Sequence, residues 1–421
     1  MVPFKQKSFY KSSRYFELKG IGNKTRIFTK ASNNTISRCN PEETIHKSYS
    51  YDVAVVSMTR YWYSHSILPR KIYCKNTNTS ILIRKATDED EDNIRRADIL
   101  IFSNHDFRDS INWTKLRRLR HGRQLWVHTT GESPYVSLST CPPPPMDMDI
   151  HFNVSYTYHP KADISVPYGQ FILFSKKQEV DIKSYFNEKT KLIVWVSSHC
   201  STQMWRRSDF AYDLAKYLPL DMYGACGTLD CPFKEYKKCT GIFKSYKFYL
   251  AMENSCCGGY ITEKFWDALT HLEAIPVVVG APRKDYERLA PNNSFIHADD
   301  FGSLKELAEY ILEVSSKKEL YDSYFQWRRL GKPQKNPVES RMAFSDYGVC
   351  KLTKFVKSSS ADSLAAPSFD PYGPNWFGGC YECGDKEWLR NYSKFNINLK
   401  MNQQKRWWRV PRNSKRDMAL A

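Results

Sequence analysis

Residues 247–280 read KFYLAMENSCCGGYITEKFWDALTHLEAIPVVVG. The runs KFYLAMEN and IPVVVG have the length and the aromatic and β-branched content of buried strands. Between them, EKFWDALTHLEA places Phe265, Leu269 and Leu272 at i, i+4 and i+7, the apolar stripe of one helix. The stretch is therefore a strand, a loop, a helix and a second strand, the unit from which parallel sheets are built. Thr262 stands at the expected N-cap, followed by Glu263 and Lys264. An acid in a first helical turn complements the helix dipole. A lysine there opposes it by about 0.3–1 kcal/mol unless a negative group lies against it. In an open α/β sheet such a helix start faces the crevice beyond the strand ends, where ligands bind. There Lys264 and the helix N-terminus suit a phosphate, and Glu263, an acceptor when ionised, suits sugar hydroxyls. The combination points to a nucleotide sugar; an exposed lysine without such a role is the plain alternative.

The strand rhythm continues in both directions from this unit. YDVAVVSM, ADILIFS and RQLWVHTT alternate with polar stretches over residues 51–185, and KLIVWVSS and LDMYGACG belong with KFYLAMEN and IPVVVG in a second set. Helices are expected near 207–218 and 263–274, and over SLKELAEYILEVSS and KKELYDSYFQWRRL. The expected fold is α/β, with one Rossmann-like lobe over residues 51–185 and another over 186–347. A basic, stem-like segment (1–50) precedes them. Residues 348–421 read as a linker containing SSSADSLAAPSFDPYGP, a cysteine-containing segment and a basic tail. CPPPPMDMD at 141–149 reads as a rigid surface connection, and no internal repeat is evident.

Composition narrows the function classes. With 421 residues, 41% hydrophobic and 14% aromatic, the chain is not wholly disordered, and its longest apolar runs are too short to span a bilayer. The opening MVPFKQKSFYKSSRYFELKG has no signal-peptide apolar region, so no membrane anchor is visible. A net charge of +18 favours an anionic partner. The charge is densest at the ends: residues 1–50 hold ten Lys or Arg against three acids, and KMNQQKRWWRVPRNSKR lies near the other end. These read as solvated tails. KRWWR at 405–409 interleaves cations with aromatics as single-stranded nucleic-acid binders do, but one short cluster does not make a nucleic-acid partner. Twelve cysteines and N-x-[ST] sequons at Asn23, Asn33, Asn78, Asn112, Asn153, Asn292 and Asn391 argue for an oxidising, glycosylating compartment. Only Cys380 and Cys383 have C-x-x-C spacing, and no second pair completes a zinc site, so disulfides are expected.

YLAMENSCCGGYITEKFWDAL followed by IPVVVGAP resembles the donor-site signature of the α1,3-fucosyltransferases. The likeness extends upstream through LAKYLPLDMYGACG, VWVSSHC, SVPYG and LWVHTTGESP, covering about residues 95–285. It implies a GT-B-like fold in which two Rossmann-like lobes face a cleft, acceptor-binding first and GDP-fucose-binding second. Family members normally sit behind a type II Golgi anchor and stem, so the Golgi lumen or cisterna membrane is the implied location. The resemblance implies that Lys264 and Arg207 neutralise the GDP diphosphate, with Arg206 the alternative because the spacing around MWRR admits either. It implies that Glu263 holds ribose or fucose hydroxyls, and that Asn254, Tyr260 and the backbone around Tyr223 and Gly224 complete the donor pocket. Glu132, in the GESP turn after RQLWVHTT, is the implied general base. No metal cofactor is implied, since basic side chains replace the D-x-D carboxylates, and DMD at 147–149 is set aside.

Several positions depart from the family pattern. Gly259 stands in place of an acid, Met252 in place of a phenylalanine, YHPKAD in place of a basic pair before VPYG, and SNHDF in place of a tandem-histidine acceptor segment. The expected activity is inverting transfer of fucose from GDP-β-L-fucose to a GlcNAc hydroxyl, in α1,3 linkage, on a glycoprotein or glycolipid glycan. A catalytically degenerate glycan-binding protein of the same fold is the alternative that the departures suggest.

Overall fold

The computed structural model describes residues 50–56, 68–86, 90–103, 113–137, 151–179, 181–200, 204–230, 236–365, 369–370, 373 and 375–393. The first lobe is a seven-stranded sheet built from β1 (Tyr51–Val56), β2 (Arg70–Cys74), β3 (Thr79–Ala86), β4 (Ile99–Ser103), β5 (Leu125–Thr130), β6 (Val154–Thr157) and β7 (Ile164–Ser165). Its order is β2-β3-β1-β4-β5-β6-β7, parallel throughout except for the β2–β3 pair. Side chains alternate across a strand, so a parallel sheet needs apolar cover on both faces. Val53, Val55, Ile99, Ile101 and Val127 enter one core; Ala54, Val56, Leu100, Phe102 and Trp126 enter the other. Helices Glu91–Arg96 and Trp113–Leu119 cover the second core with Ile94, Trp113 and Leu116.

The first core is covered by a segment from the far end of the chain. Helix Asp346–Ser358 packs Val349, Leu352 and Val356 against the sheet, and the Cys74–Cys350 disulfide ties it to β2. The expectation of a linker from residue 348 onward is corrected here. Ser345 caps this helix, its Oγ accepting from Gly348 N at 2.9 Å, and the apolar stripe that follows has only the bare sheet face on which to bury.

The chain leaves the first lobe through β8 (Gly169–Leu173) and builds a second, all-parallel sheet. Its strands are β9 (Lys191–Val196), β10 (Leu220–Tyr223), β11 (Tyr246–Met252), β12 (Ile275–Val279) and β13 (Ile296–His297), in the order β10-β9-β11-β12-β13. The chain returns through β14 (Gly331–Lys335), which pairs antiparallel with β8. Helix Leu304–Ser316 buries Leu307, Ile311 and Val314 against this lobe. The helix expected near 207–218 spans Arg207–Leu214. That expected over 263–274 is α-helical only over Glu263–Asp267 and widens into a π turn, Ala268–Leu272, which ends at Glu273 with φ of +53°. Phe265, Leu269 and Leu272 are buried as the stripe requires.

A final segment spans both lobes. Phe369 bridges to Phe152 and stacks on His128 at 4.5 Å, and buried Trp376 packs edge-on against His128 and beside Tyr158. Beyond them Cys380 and Cys383 bond to Cys257 and Cys256 of the second lobe. With Cys200–Cys226, four disulfides lie among the described residues, and the C-x-x-C pair is oxidised through two partners rather than closed on itself.

The sequons separate on structural grounds. Asn153 is 5% exposed, its Oδ1 accepts from Trp126 N and Arg120 Nη2, and its Nδ2 donates to Leu364 O. An amide so committed within the core cannot carry a glycan in the folded chain, which corrects the reading of that sequon. Asn78, Asn292 and Asn391 are exposed. Asn23, Asn33, Asn112, the 141–149 connection and the 405–409 cluster lie outside the described residues.

Two outcomes follow. Secreted behind a supplied signal sequence, the chain is expected to be glycosylated at Asn78, Asn292 and Asn391 and unmodified at Asn153; glycopeptide mapping checks this, and a glycan on Asn153 would contradict the packing. Cys350→Ser, which frees the helix from β2, is expected to cost about 2–5 kcal/mol in denaturant unfolding.

Candidate active site

The lysine in the first turn of helix Glu263–Asp267 has its negative partner within the chain. Glu253, the first residue after β11, is 0% exposed. Its Oε1 accepts from Thr262 N at 2.7 Å, and its Oε2 accepts from Thr262 Oγ1 at 2.7 Å and from Lys264 Nζ at 3.3 Å. Thr262 occupies the expected N-cap position, and its side chain makes no capping bond: the hydroxyl is turned to donate to Glu253 Oε2, and its oxygen accepts from Lys264 Nζ at 2.9 Å. Burial pushes the Glu253 carboxyl up, and the Lys264 charge pulls it back. Burial likewise opposes the Lys264 ammonium, yet Glu253 and Glu263 hold it above the usual lysine range. Glu263, with 43% of its side chain exposed, accepts from Lys264 Nζ at 3.0 Å. Burial alone would raise its carboxyl, but Lys264 brings it down to about 2.

The other second-lobe candidates gather at the carboxyl ends of β9, β10 and β11. Arg207 is 8% exposed, and its guanidinium donates to Met252 O at 3.5 Å and His199 O at 3.2 Å. Arg206 turns outward, donating to Asp209 Oδ2 and to Asn391 O. Of the two arginines, Arg207 is therefore the one directed at the strand ends. Tyr223 closes β10, and Gly224 follows with φ of +83°. A Cβ on Gly224 would stand 2.6 Å from Ser197 O, so a side chain is excluded and the backbone is left bare. Asn254 is half-buried and accepts from Ser255 Oγ at 3.0 Å.

From the first lobe, β5 delivers Glu132 two residues beyond its end, where Glu132 N donates to Thr130 Oγ1 at 3.0 Å. Its Oε2 accepts from the hydroxyl of Tyr260 at 3.1 Å, and Ser133 Oγ donates to Ser255 Oγ at 2.7 Å. These two hydrogen bonds join the lobes at the site. Tyr260 is buried against Tyr158 and Tyr168, and burial, followed by the Glu132 charge, pushes its phenol well above the tyrosine range, keeping it a donor. Tyr260, expected in the donor pocket, thus has a direct partner in Glu132.

Four residues of this site escaped the sequence reading. Glu253 stood inside the quoted motif, and the lysine's mismatch with the helix dipole was a signal for it. Tyr168 donates to Gly131 O at 2.5 Å, and Arg341 lies 3.7 Å from the centre of the Tyr168 ring. Both come from the crossings between lobes, where sequence distance hides proximity. Asp285 accepts from Gly259 N at 2.7 Å. Gly259 itself has φ of +70°, and a Cβ there would stand 2.9 Å from Pro160 Cδ. Two of the departures from the family pattern therefore touch each other.

Among the described residues no group of three or more His, Cys, Asp or Glu is arranged to hold a metal ion, and no helix is long and apolar enough to cross a membrane. Asp147 and Asp149 lie outside those residues.

The buried pair yields a stability test. Lys264→Ala strands the Glu253 charge and is expected to cost on the order of 3 kcal/mol in urea unfolding. Adding Glu253→Gln should return most of that loss. Additive costs in the double variant would show that the two residues are not coupled.

Comparison with known proteins closes the description of the site. Residues 186–369 match the family model "Glycosyltransferase family 10 (fucosyltransferase) C-term", and residues 23–169 match "Fucosyltransferase, N-terminal". The chain is 33% identical over 300 residues to glycoprotein 3-alpha-L-fucosyltransferase A of Drosophila melanogaster, covering 70% of this chain and 54% of that one. It is 31% identical over 314 residues to alpha-(1,3)-fucosyltransferase fut-6 of Caenorhabditis elegans, covering 70% of this chain and 74% of that one. It thus spans about half the length of the first relative and about three quarters of the second. A crystal structure of an alpha1,3-fucosyltransferase with GDP-fucose aligns at 16% identity and a TM-score of 0.43, over 75% of this chain and 90% of that one.

Proposed function

The chain belongs to glycosyltransferase family 10, the fucosyltransferases, and from that premise we propose that it moves fucose, with inversion, from GDP-β-L-fucose to a GlcNAc hydroxyl in α1,3 linkage. The acceptor is a glycan of a glycoprotein or glycolipid, and the setting is the Golgi lumen. The disulfides and exposed sequons support an oxidising, glycosylating compartment.

The observation that carries the reading is the 3.1 Å hydrogen bond between Tyr260 and Glu132. It sets a first-lobe carboxylate against the second-lobe motif that holds Lys264 and Glu263, leaving acid–base chemistry on one side of the cleft and charge neutralisation on the other. In the proposed reaction Glu132 takes the proton of the acceptor hydroxyl as its oxygen bonds to the anomeric carbon. The bond from that carbon to the β-phosphate oxygen breaks, and the electron pair leaves with GDP. Arg207 and Lys264 meet the charge gathering on the diphosphate, while Asn254, the Tyr223–Gly224 backbone and Glu263 orient the donor. One displacement inverts the anomeric centre. The diphosphate charge is answered by side chains, so no metal step is required. The departures that prompted the glycan-binding alternative, Gly259 and Pro160, pack against one another and so give it little support.

Glu132→Gln keeps the shape but cannot take the proton. Transfer is expected to fall roughly 10²–10⁴-fold, with GDP-fucose affinity by calorimetry nearly unchanged because the donor's charge is met in the other lobe. A folded variant with near wild-type transfer would remove Glu132 as the base. Transfer is also expected to survive EDTA; abolition on chelation and return with Mn²⁺ would put the diphosphate on a metal and bring Asp147 and Asp149 into the site.

A further inference from the structure

An ammonium group has three N–H donors. Those of Lys264 meet Thr262 Oγ1 at 2.9 Å, Glu263 Oε1 at 3.0 Å and Glu253 Oε2 at 3.3 Å, so the lysine placed to hold a diphosphate is saturated by the chain itself. Two of these partners cannot leave. Glu253 and Thr262 are buried and locked to one another by two hydrogen bonds of 2.7 Å. Releasing either would strand a buried polar group. Glu263 differs, because its side chain is partly exposed and water or a ligand can replace Lys264 as its partner. A phosphate oxygen therefore gains Lys264 by displacing Glu263.

We propose that Glu263 is a specificity gate of the donor site. In the free protein it occupies the third N–H of Lys264. Donor binding exchanges the pair: Lys264 passes to a phosphate oxygen, and Glu263 accepts from a hydroxyl of the transferred sugar. The inference rests on the donor reading given above and assigns the sugar hydroxyl, rather than the ribose, to Glu263. A nucleoside diphosphate without its sugar breaks the same ion pair but offers Glu263 nothing in return, whereas the sugar nucleotide supplies the replacement hydrogen bond. The gate thus favours the intact donor over the diphosphate product, which carries the same two phosphates. Arg341, on the Tyr168 ring, adds positive charge that helps keep Glu263 ionised and able to accept.

The test is calorimetric titration of the full chain and of Glu263→Gln with GDP and, without acceptor, with GDP-fucose. Glutamine keeps the size of the side chain but carries no charge to hold Lys264. GDP is expected to bind more tightly to Glu263→Gln and GDP-fucose more weakly, so that the ratio of the two dissociation constants moves by roughly tenfold toward GDP, the scale of one charge-assisted hydrogen bond. Inorganic pyrophosphate should follow GDP. The ratio is the decisive quantity, because the loss of a negative charge strengthens every anion's binding and cancels from it. If both affinities move together, or neither moves, the gate is overturned; a shared loss would place Glu263 on the ribose. Lys264→Ala, titrated alongside, keeps the two readings apart. If it leaves both affinities intact, the donor reading itself fails; if it weakens both while the Glu263→Gln ratio stays constant, only the gate fails. Glu263→Ala is expected to shift the ratio in the same direction as glutamine and guards against an effect peculiar to the amide.

Discussion

The buried carboxylate of Glu253 is the interaction on which the rest of the site depends. A charge removed from water must be paired and hydrogen-bonded. Here its partners, Thr262 N, Thr262 Oγ1 and Lys264 Nζ, all come from the beginning of the next helix. The carboxylate therefore staples the end of β11 to the start of that helix and closes residues 253–262 into a defined loop. Everything that joins this lobe to its neighbour at the site hangs from the loop. Ser255 meets Ser133, Tyr260 meets Glu132, and Cys256 and Cys257 hold the final segment. One pairing thus fixes Lys264, the cation proposed for the leaving group, and, through Tyr260, the position of the opposing carboxylate.

The second constraint is connectivity. Chain crossings between the lobes run side by side in the antiparallel pair of β8 and β14, and a third link is the segment that sets Phe369 and Trp376 against His128 of the first lobe before its two disulfides to the second. Tyr168 opens one crossing and Arg341 follows the other. Their stacking at 3.7 Å lies directly behind Gly131, whose carbonyl accepts from Tyr168. The loop that presents Glu132 is thus braced from the side where the chain passes between lobes, and the geometry of the proposed base is tied to that of the crossings. Preorganisation of this kind lowers the cost of arranging charged groups at the moment of reaction.

How much of this could be read in the sequence depended on whether the deciding contact was local. The strands YDVAVVSM, RQLWVHTT, KLIVWVSS and IPVVVG were legible because parallel strands are apolar on both faces, and the stripe Phe265, Leu269, Leu272 because a helix repeats at 3.6 residues. The π turn at Ala268–Leu272 was not, since it changes the hydrogen bonding without disturbing that stripe. The N-cap position of Thr262 was legible, but the turn of its hydroxyl toward an acceptor nine residues upstream was not. Helix Asp346–Ser358 was assigned to a linker because its apolar face has meaning only opposite a distant sheet, to whose strand β2 it is bonded across a separation of 276 residues. The site followed the same rule. Motif residues such as Lys264, Glu263 and Glu132 could be named, whereas Tyr168 and Arg341 could not, because only the topology brings them together.

The departures from the family pattern are best judged by what they touch. The left-handed backbone at Gly259 strains any side chain, and a Cβ there would press on Pro160, so an acid could not be restored at 259 alone. Pro160 lies within the stretch that replaces the family's basic pair, so the missing acid and the missing bases are two sides of one contact. Nor is the corner left neutral: Asp285, from helix Arg283–Leu289, accepts from Gly259 N and keeps a carboxylate beside the loop. A site losing its function would be expected to show unmatched losses, with cavities and unpaired charges at separate positions. Here a glycine faces a proline, and the loop that carries Tyr260 and Lys264 retains its hydrogen bonds. Gly259 and Pro160 therefore read as one local repacking of the loop, and the hydrogen bonds of Glu253, Lys264 and Glu132 do not involve either residue.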